Sequence, residues 1–313
     1  MGLRPRLGVL AIAIVAALGS QACAAPARRG PAFDGRRAMA DIAAQLRFTP
    51  RSLGSPGHAR TIAFIEAELA RARIFHVKEQ TWRYRGQDGA LRTLTNIVAS
   101  TEPANPRRVL VGSHYDSIVR AYRDPASPNG PMPGANNSAS GVAVLLEAAR
   151  VMAHSPALRV GVDLVFFDGE EGQYSLGAGD ANWFALGSPY FAGHLGDTYP
   201  RGKPATAVIL DMVCYRQSKL KPDQSSLAYD RNGVEQFWRI GRRVAPSLFD
   251  TGALTYAVDD DQTALAGAKI PSFLVIGIEY EPWFNTTHDT IDKCAANTLA
   301  GVGETVLQFL AAQ

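Results

Sequence analysis

Glu170 and Glu171 stand side by side just after Asp168-Gly169, where the apolar run 160–167 stops. A β-branched and aromatic run ended by Asp-Gly reads as a buried strand leaving a sheet. Two adjacent carboxylates at such a place repel each other unless a cation or a shared proton relieves them. A carboxyl group poised near neutrality can then carry protons. A random Glu-Glu pair is an ordinary solvated loop, but the other strand ends argue for a site. Ser113-His114-Tyr115-Asp116 follows an apolar run at 108–112, Asp211 follows 207–210, and His288-Asp289-Thr290 comes shortly after 273–278. One histidine at a strand end is usually structural. Two histidines and several carboxylates at separate strand ends suit zinc, which in a catalytic site takes three such ligands and leaves a fourth position open.

The elements that position these residues follow from periodicity. Helical spacing runs over 37–46 and 58–72, the second introduced by Gly54-Ser55-Pro56-Gly57. Strand-like runs occupy 75–84, 95–99 and 108–112. A Pro/Gly/Asn-rich loop at 124–134 precedes a strong amphipathic helix at 140–153. The strand 160–167, a Gly-rich loop at 172–179, a short helix at 188–195 and a strand at 205–213 come next. A helix at 234–244, a strand at 270–278 and a closing helix at 295–311 complete the chain. Strands alternating with helices predict a single α/β domain whose mixed, mostly parallel central sheet carries helices on both faces. In such sheets ligands bind at the carboxyl ends of the strands, where all the polar residues named above fall.

The 313 residues carry a net charge of +3. Residues 1–24 have the form of a secretory signal peptide: Arg4 and Arg6, an apolar stretch at 7–18, then Ala22-Cys23-Ala24. That stretch is too short to span a bilayer comfortably. The expected location is therefore periplasmic or secreted, with residues 25–313 as the functional domain. A second reading makes the protein a lipoprotein anchored through Cys23, the one route by which it would meet a membrane. Without the signal the chain is close to neutral, which gives no reason to expect nucleic acid. Cys214 and Cys294 are too few for a disulfide scaffold and either pair or stay buried as free thiols. Asn285-Thr286-Thr287 has the form of a glycosylation triplet but reads better as a loop beside His288.

The run 114–117, the segment 134–142, the run 166–171 and the late His288 together resemble the zinc exopeptidases of the bacterial leucyl-aminopeptidase type. Their relatives, the glutaminyl-peptide cyclotransferases (glutaminyl cyclases), share the framework, and the resemblance runs from about residue 51 to the C-terminus. It implies the zinc-exopeptidase fold, of phosphorylase/hydrolase-like architecture. In the aminopeptidases two zinc ions are held by residues that map to His114, Asn137, Glu171, Asp211 and His288. In the cyclases one zinc remains, on the positions of Asn137, Glu171 and His288. The segment 50–57, Ala185-Leu186-Gly187-Ser188 and the acidic loop Asp259-Asp260-Asp261 resemble the cyclase branch, and Asp260 is the discriminating residue. Asn137 stands where the family has a metal-binding aspartate, and an amide oxygen is a weak neutral ligand for zinc.

On this resemblance the chain is a zinc-dependent glutaminyl cyclase acting on peptide or protein N-termini, with one zinc ion, or two. Glu170 would be the proton carrier, Asp260 and Asp211 would assist it, and Glu171, His288 and Asn137 would hold the metal. His114 and Asp116 would serve a second metal or support the first, and Trp283 and Trp183 would line the pocket. Two alternatives use the same residues: a zinc aminopeptidase, and a secreted binding protein whose catalysis is impaired by Asn137.

Overall fold

The computed structural model describes residues 1–2, 30–86, 88–172 and 183–313. The expected signal peptide and most of the Gly-rich loop after Glu171 therefore lie outside the described residues. A six-stranded sheet runs in the order β1-β2-β4-β3-β5-β6, with β1 His76–Arg85, β2 Leu91–Ser100, β3 Arg108–His114, β4 Gly161–Phe167, β5 Thr206–Asp211 and β6 Ser272–Ile276. The pairings β4–β3, β3–β5 and β5–β6 are parallel, and β1–β2 and β2–β4 are antiparallel. The sheet is thus mixed and mostly parallel, as the sequence implies.

Every residue of β3, β4, β5 and β6 is buried, because both faces are covered by helices and neither side of these strands meets water. The pleat sorts their side chains into two cores. Val109, Val111, Val208 and Leu210 face the core built by α1 Gly35–Leu46, α2 Pro56–Ala72, α3 Ala139–Ala153, α7 Arg231–Val244 and α9 Ala296–Ala311. Leu110, Phe167, Ala207 and Ile209 face the opposite core, which takes Phe191 from α4 Gly187–Gly193, Leu195 from α5 Leu195–Thr198 and Leu265 from α8 Asp261–Gly267. The outer strand β1 is mostly exposed and carries Lys78, Glu79 and Arg83, charges that discourage pairing with another sheet edge.

The boundaries move where local chemistry interrupts a run. The strand read at 270–278 ends at Ile276, because Gly277 turns the chain into the 3-10 helix Ile278–Tyr280. Two short helices, α6 Gln224–Tyr229 and α8, carry no readable periodicity. Each is started by an aspartate whose carboxylate accepts backbone N–H groups: Asp223 from Ser225 and Ser226, and Asp260 from Asp261.

The packing of α3 fixes the loop in front of it. Glu147, wholly buried on α3, accepts from Arg37 (2.8 Å), Arg150 (3.2 Å) and the Asp34 N–H (3.1 Å). Arg150 also reaches Asp41 on α1 (2.6 Å) and Glu68 on α2 (2.9 Å), so one guanidinium ties three helices together. Cys214 and Cys294 form a disulfide that links the segment after β5 to the start of α9 across a sequence separation of 80.

Closing a loop of that length restricts the unfolded chain, and its removal is expected to cost about 2–4 kcal/mol. The double substitution Cys214→Ala and Cys294→Ala should lower the urea unfolding free energy by that amount and the midpoint with it, and reductant should do the same to the unaltered protein. An unchanged midpoint under reductant would show that the bridge carries no stability.

Candidate active-site cleft

The strands β3, β4 and β5 end side by side, and the chain leaves each of them through a residue that carries chemistry. After β3 the fully buried Asp116 accepts from the N–H groups of Glu170 (3.0 Å) and Glu171 (3.3 Å). Its Oδ1 lies 3.3 Å from His114 Nδ1. After β4 the turn is made at Gly169, whose φ of +66° favours a residue without Cβ. Asp168, just before it, accepts from Thr95 N–H (2.7 Å) and pairs with His58 Nε2 (2.7 Å). The His58 ring stacks on Tyr115 with centroids 5.5 Å apart, so His58 braces this turn from α2.

Glu170, Glu171, Asp211, Asp260 and Asn137 line one open cleft of about 380 Å³, with Trp183 and Phe284 among its apolar walls. His114 lies buried behind it, its Nε2 3.2 Å from Asp211 Oδ1 and its Nδ1 3.8 Å from Glu170 Oε2. Burial opposes charge on this imidazole, but Glu170, Asp116 and Asp211 together hold its pKa well above the ordinary value. Burial pushes the Glu170 carboxyl well up, helped by Asp260 and Glu171, while His114 pulls the other way. Burial likewise raises Asp260 well above the usual range, with Asp211 and Asp261 adding to it. Glu171 is pushed up to about 8, again chiefly by burial.

Asn137 is oriented by its contacts. Its Nδ2 donates to Glu171 Oε1 (2.8 Å) and to Asn285 Oδ1 (3.3 Å), and Asn285 Nδ2 donates to the Tyr122 hydroxyl (3.4 Å). Asn137 Oδ1 is buried and has no hydrogen-bond partner among the described residues. The backbone beneath is held by Asp289, whose carboxylate accepts from the N–H groups of Asn136 (2.8 Å) and Asn137 (3.1 Å) and from the Tyr280 hydroxyl (2.5 Å). Burial raises Asp289 to about 6.

The structure therefore brings together Glu170, Glu171, Asp211, Asp260, Asn137 and, behind them, His114 with Asp116. It does not bring His288 to them. That side chain is exposed, stands edge-on to Trp283 at 6.2 Å and is not among the residues of the cleft. Asn285, which adopts a left-handed φ of 55° that asparagine tolerates, lines the cleft instead and touches Asn137. Asp289 turns inward to grip the backbone, and His288 before it turns out. Trp283 is half-buried against the second core with Lys293 Nζ 4.8 Å over its ring, outside the cleft, whereas Trp183 does line it. The buried roles of Asn285, Asp289 and Tyr280 have no signature in sequence beyond the Asn-Thr-Thr triplet and the His-Asp-Thr run.

These donors do not fit the zinc site that the resemblance implies. Of the one-zinc set Asn137, Glu171 and His288, Glu171 is the one anion, and Asn137 offers it an N–H where a metal would need an oxygen; of the two-zinc set, Asp211 also lines the cleft but pairs with His114 at 3.2 Å. Among the described residues no group of three or more His, Cys, Asp or Glu is arranged to hold a metal ion.

The whole fold is similar to solved enzymes. A glutaminyl cyclase of Tannerella forsythia superposes with a TM-score of 0.82 at 29% identity, covering 90% of this chain and 100% of that one. A Zn-dependent exopeptidase from Parabacteroides distasonis ATCC 8503 gives 0.83 at 28% identity, covering 90% and 99%. In sequence the chain is 30% identical to aminopeptidase YwaD of Bacillus subtilis (strain 168) over 225 residues, which is 69% of this chain but 44% of that protein, so the match spans less than half of that relative. The pattern that defines peptidase family M28 matches residues 96–310, well over half of the sequence, and the chain belongs to that family.

Proposed function

We propose that this is an exported, glutaminyl-cyclase-like enzyme that binds peptide N-termini and converts N-terminal glutamine to pyroglutamate with release of ammonia. The observation that carries this reading is Glu170: a buried carboxyl that lines an open cleft, has His114 Nδ1 3.8 Å from its Oε2, and has its proton affinity raised well above the ordinary value by burial. The similarity to a glutaminyl cyclase over nine tenths of the chain supports it. In the reaction the α-amine nitrogen attacks the side-chain amide carbon, the new C–N bond closes the ring, and the bond to the leaving nitrogen breaks. Glu170 takes the proton that the α-amine gives up and returns one to the departing ammonia. Asp260, also high in proton affinity, is placed to hold the amine, and Trp183 to pack the substrate's methylenes. Export agrees with residues 1–24 and with the disulfide Cys214–Cys294, a bond that persists in oxidising compartments.

One observation favours a second reading, a peptide-binding protein with little turnover. The amide of Asn137 ties up Glu171, the carboxylate that a zinc enzyme would give to its metal. An aminopeptidase with two metals is less well supported, because a bridge between two cations needs a carboxylate at position 137.

Peptides beginning with Gln and with Leu separate these readings by mass spectrometry. Loss of ammonia from the Gln peptide alone is expected; shortening of the Leu peptide would favour the aminopeptidase, and no change in either the binding protein. Glu170→Gln should lower kcat for the Gln peptide by about 10²- to 10⁴-fold. An unchanged kcat would remove Glu170 from the proton transfer.

Stability should also depend on pH. Glu170, Glu171, Asp260 and Asp261 have raised pKa values in the folded protein, Glu171 from 4.5 to about 8, through burial above all. Above about pH 4.5 the unfolded chain releases these protons while the folded one keeps them, so unfolding becomes easier as pH rises. His114, also raised, acts in the same direction. The urea unfolding free energy is expected to fall from about pH 5 to about pH 8, and Glu171→Gln, which has no proton to lose, should flatten the slope. Stability rising across this window would contradict the assigned protonation states.

A further inference from the structure

The cleft is rich in negative groups and poor in cations. Glu170, Glu171, Asp211, Asp259, Asp260 and Glu281 line it, and the single arginine among the lining residues, Arg123, is already paired with Glu281 at its mouth. A cation-binding role for this cluster has independent support in Asn137, whose side chain is almost wholly buried on the same wall and keeps an acceptor oxygen without a partner among the described residues. The orientation of that amide follows from its neighbours: Nδ2 donates to Glu171 Oε1 and to Asn285 Oδ1, which leaves Oδ1 to receive a donor. A zinc ion is the wrong cation for this set, since the neutral amide of Asn137 donates to Glu171 and is itself backed by the amide of Asn285, and no three His, Cys, Asp or Glu among the described residues are arranged to hold a metal ion. An ammonium group makes lower demands. Its N–H bonds are satisfied by carboxylate and amide oxygens at ordinary hydrogen-bond distances, and an aromatic face such as that of Trp183 also favours it.

We infer that the cation of this cleft is organic: a protonated primary amine, the α-ammonium of a peptide N-terminus, held by Glu170, Asp260 and Asn137 Oδ1 without a zinc ion. The inference rests on the cleft being the N-terminus site proposed above, but it concerns binding and not turnover. It also gives Glu170 its first task, because the ammonium must pass a proton to a carboxylate before its nitrogen can attack.

The test uses the full chain after treatment with EDTA and dialysis. Calorimetry would compare the tripeptide amide Gln-Phe-Ala-NH2, its N-acetylated form and zinc chloride. The free-amine peptide should bind with the same Kd, within a factor of two, before and after zinc is added, and acetylation should weaken it at least 30-fold. Zinc alone should bind no more tightly to the unaltered protein than to Glu171→Gln. Binding that appears only with zinc, or an acetylated peptide that binds equally well, would overturn the inference. Asn137→Leu should weaken the free-amine peptide at least tenfold. Asn137→Asp, which keeps the shape if the leucine variant fails to fold, should retain peptide binding and gain zinc binding by metal analysis. Peptide binding without ammonia release would keep the ammonium site and remove the cyclase; ammonia release that needs zinc would do the reverse.

Discussion

Asp116 is buried at the end of β3 and holds the first two backbone N–H groups of the Glu170-Glu171 pair while it touches His114 Nδ1. A charged acceptor with several donors is stabilised far more than one buried alone, so this carboxylate is settled where it sits. The consequence is geometric. With their backbone fixed from behind, Glu170 and Glu171 have only the cleft side open to them. Asp289 does the same work for Asn137, where it accepts from Asn136 and Asn137 N–H. Two buried aspartates, far apart in sequence, thus present Glu171 and Asn137 to each other at hydrogen-bond distance.

Each grip depends on the sheet. Asp116 can reach the turn after β4 because β3 and β4 are parallel neighbours in register, with His114 opposite Phe167. Asp211 reaches His114 because β5 flanks β3 on its other side. Asp289 comes from beyond β6, and the Cys214–Cys294 disulfide ties its segment to the end of β5. The site is therefore stiff at the strand ends and hydrophobic beneath, and that burial is what raises the proton affinities of its carboxyl groups.

The buried strands were legible because a sheet covered on both faces favours near-continuous apolar runs, and 108–112, 160–167 and 205–213 come close to that, interrupted only by Arg108, Asp163, Thr206 and Asp211. The polar residues at their exits followed directly, which is why Glu170, Glu171 and Asp211 are found together in the cleft, whereas Asp260 beside them was implied only by the family resemblance. The stretch after β6 was not legible in the same way. It has no repeating element, only a 3-10 turn, a left-handed asparagine and a choice of which polar side chain points inward. Local sequence does not make that choice; the buried N–H groups of Asn136 and Asn137 do, by recruiting Asp289. Short helices such as α8 escape for a related reason, since seven residues started by one aspartate hold too little of the 3.6 period to be read.

Asn137 is coherent with the rest of this arrangement and need not be read as damage. A carboxylate at that position would face Glu171 at 2.8 Å inside a wall that already holds Asp116, Asp211 and Glu170, and with no cation between them one of the two would have to keep a proton. The amide removes that conflict, because it supplies a donor to Glu171 and a second to Asn285. Its cost is an acceptor oxygen left unpaired among the described residues in a buried place, which is unfavourable by the desolvation of one polar group until a donor arrives. The cleft thus trades an interaction with a metal for an unmet hydrogen bond, and a ligand that carries N–H groups and positive charge completes both the bond and the charge balance at once.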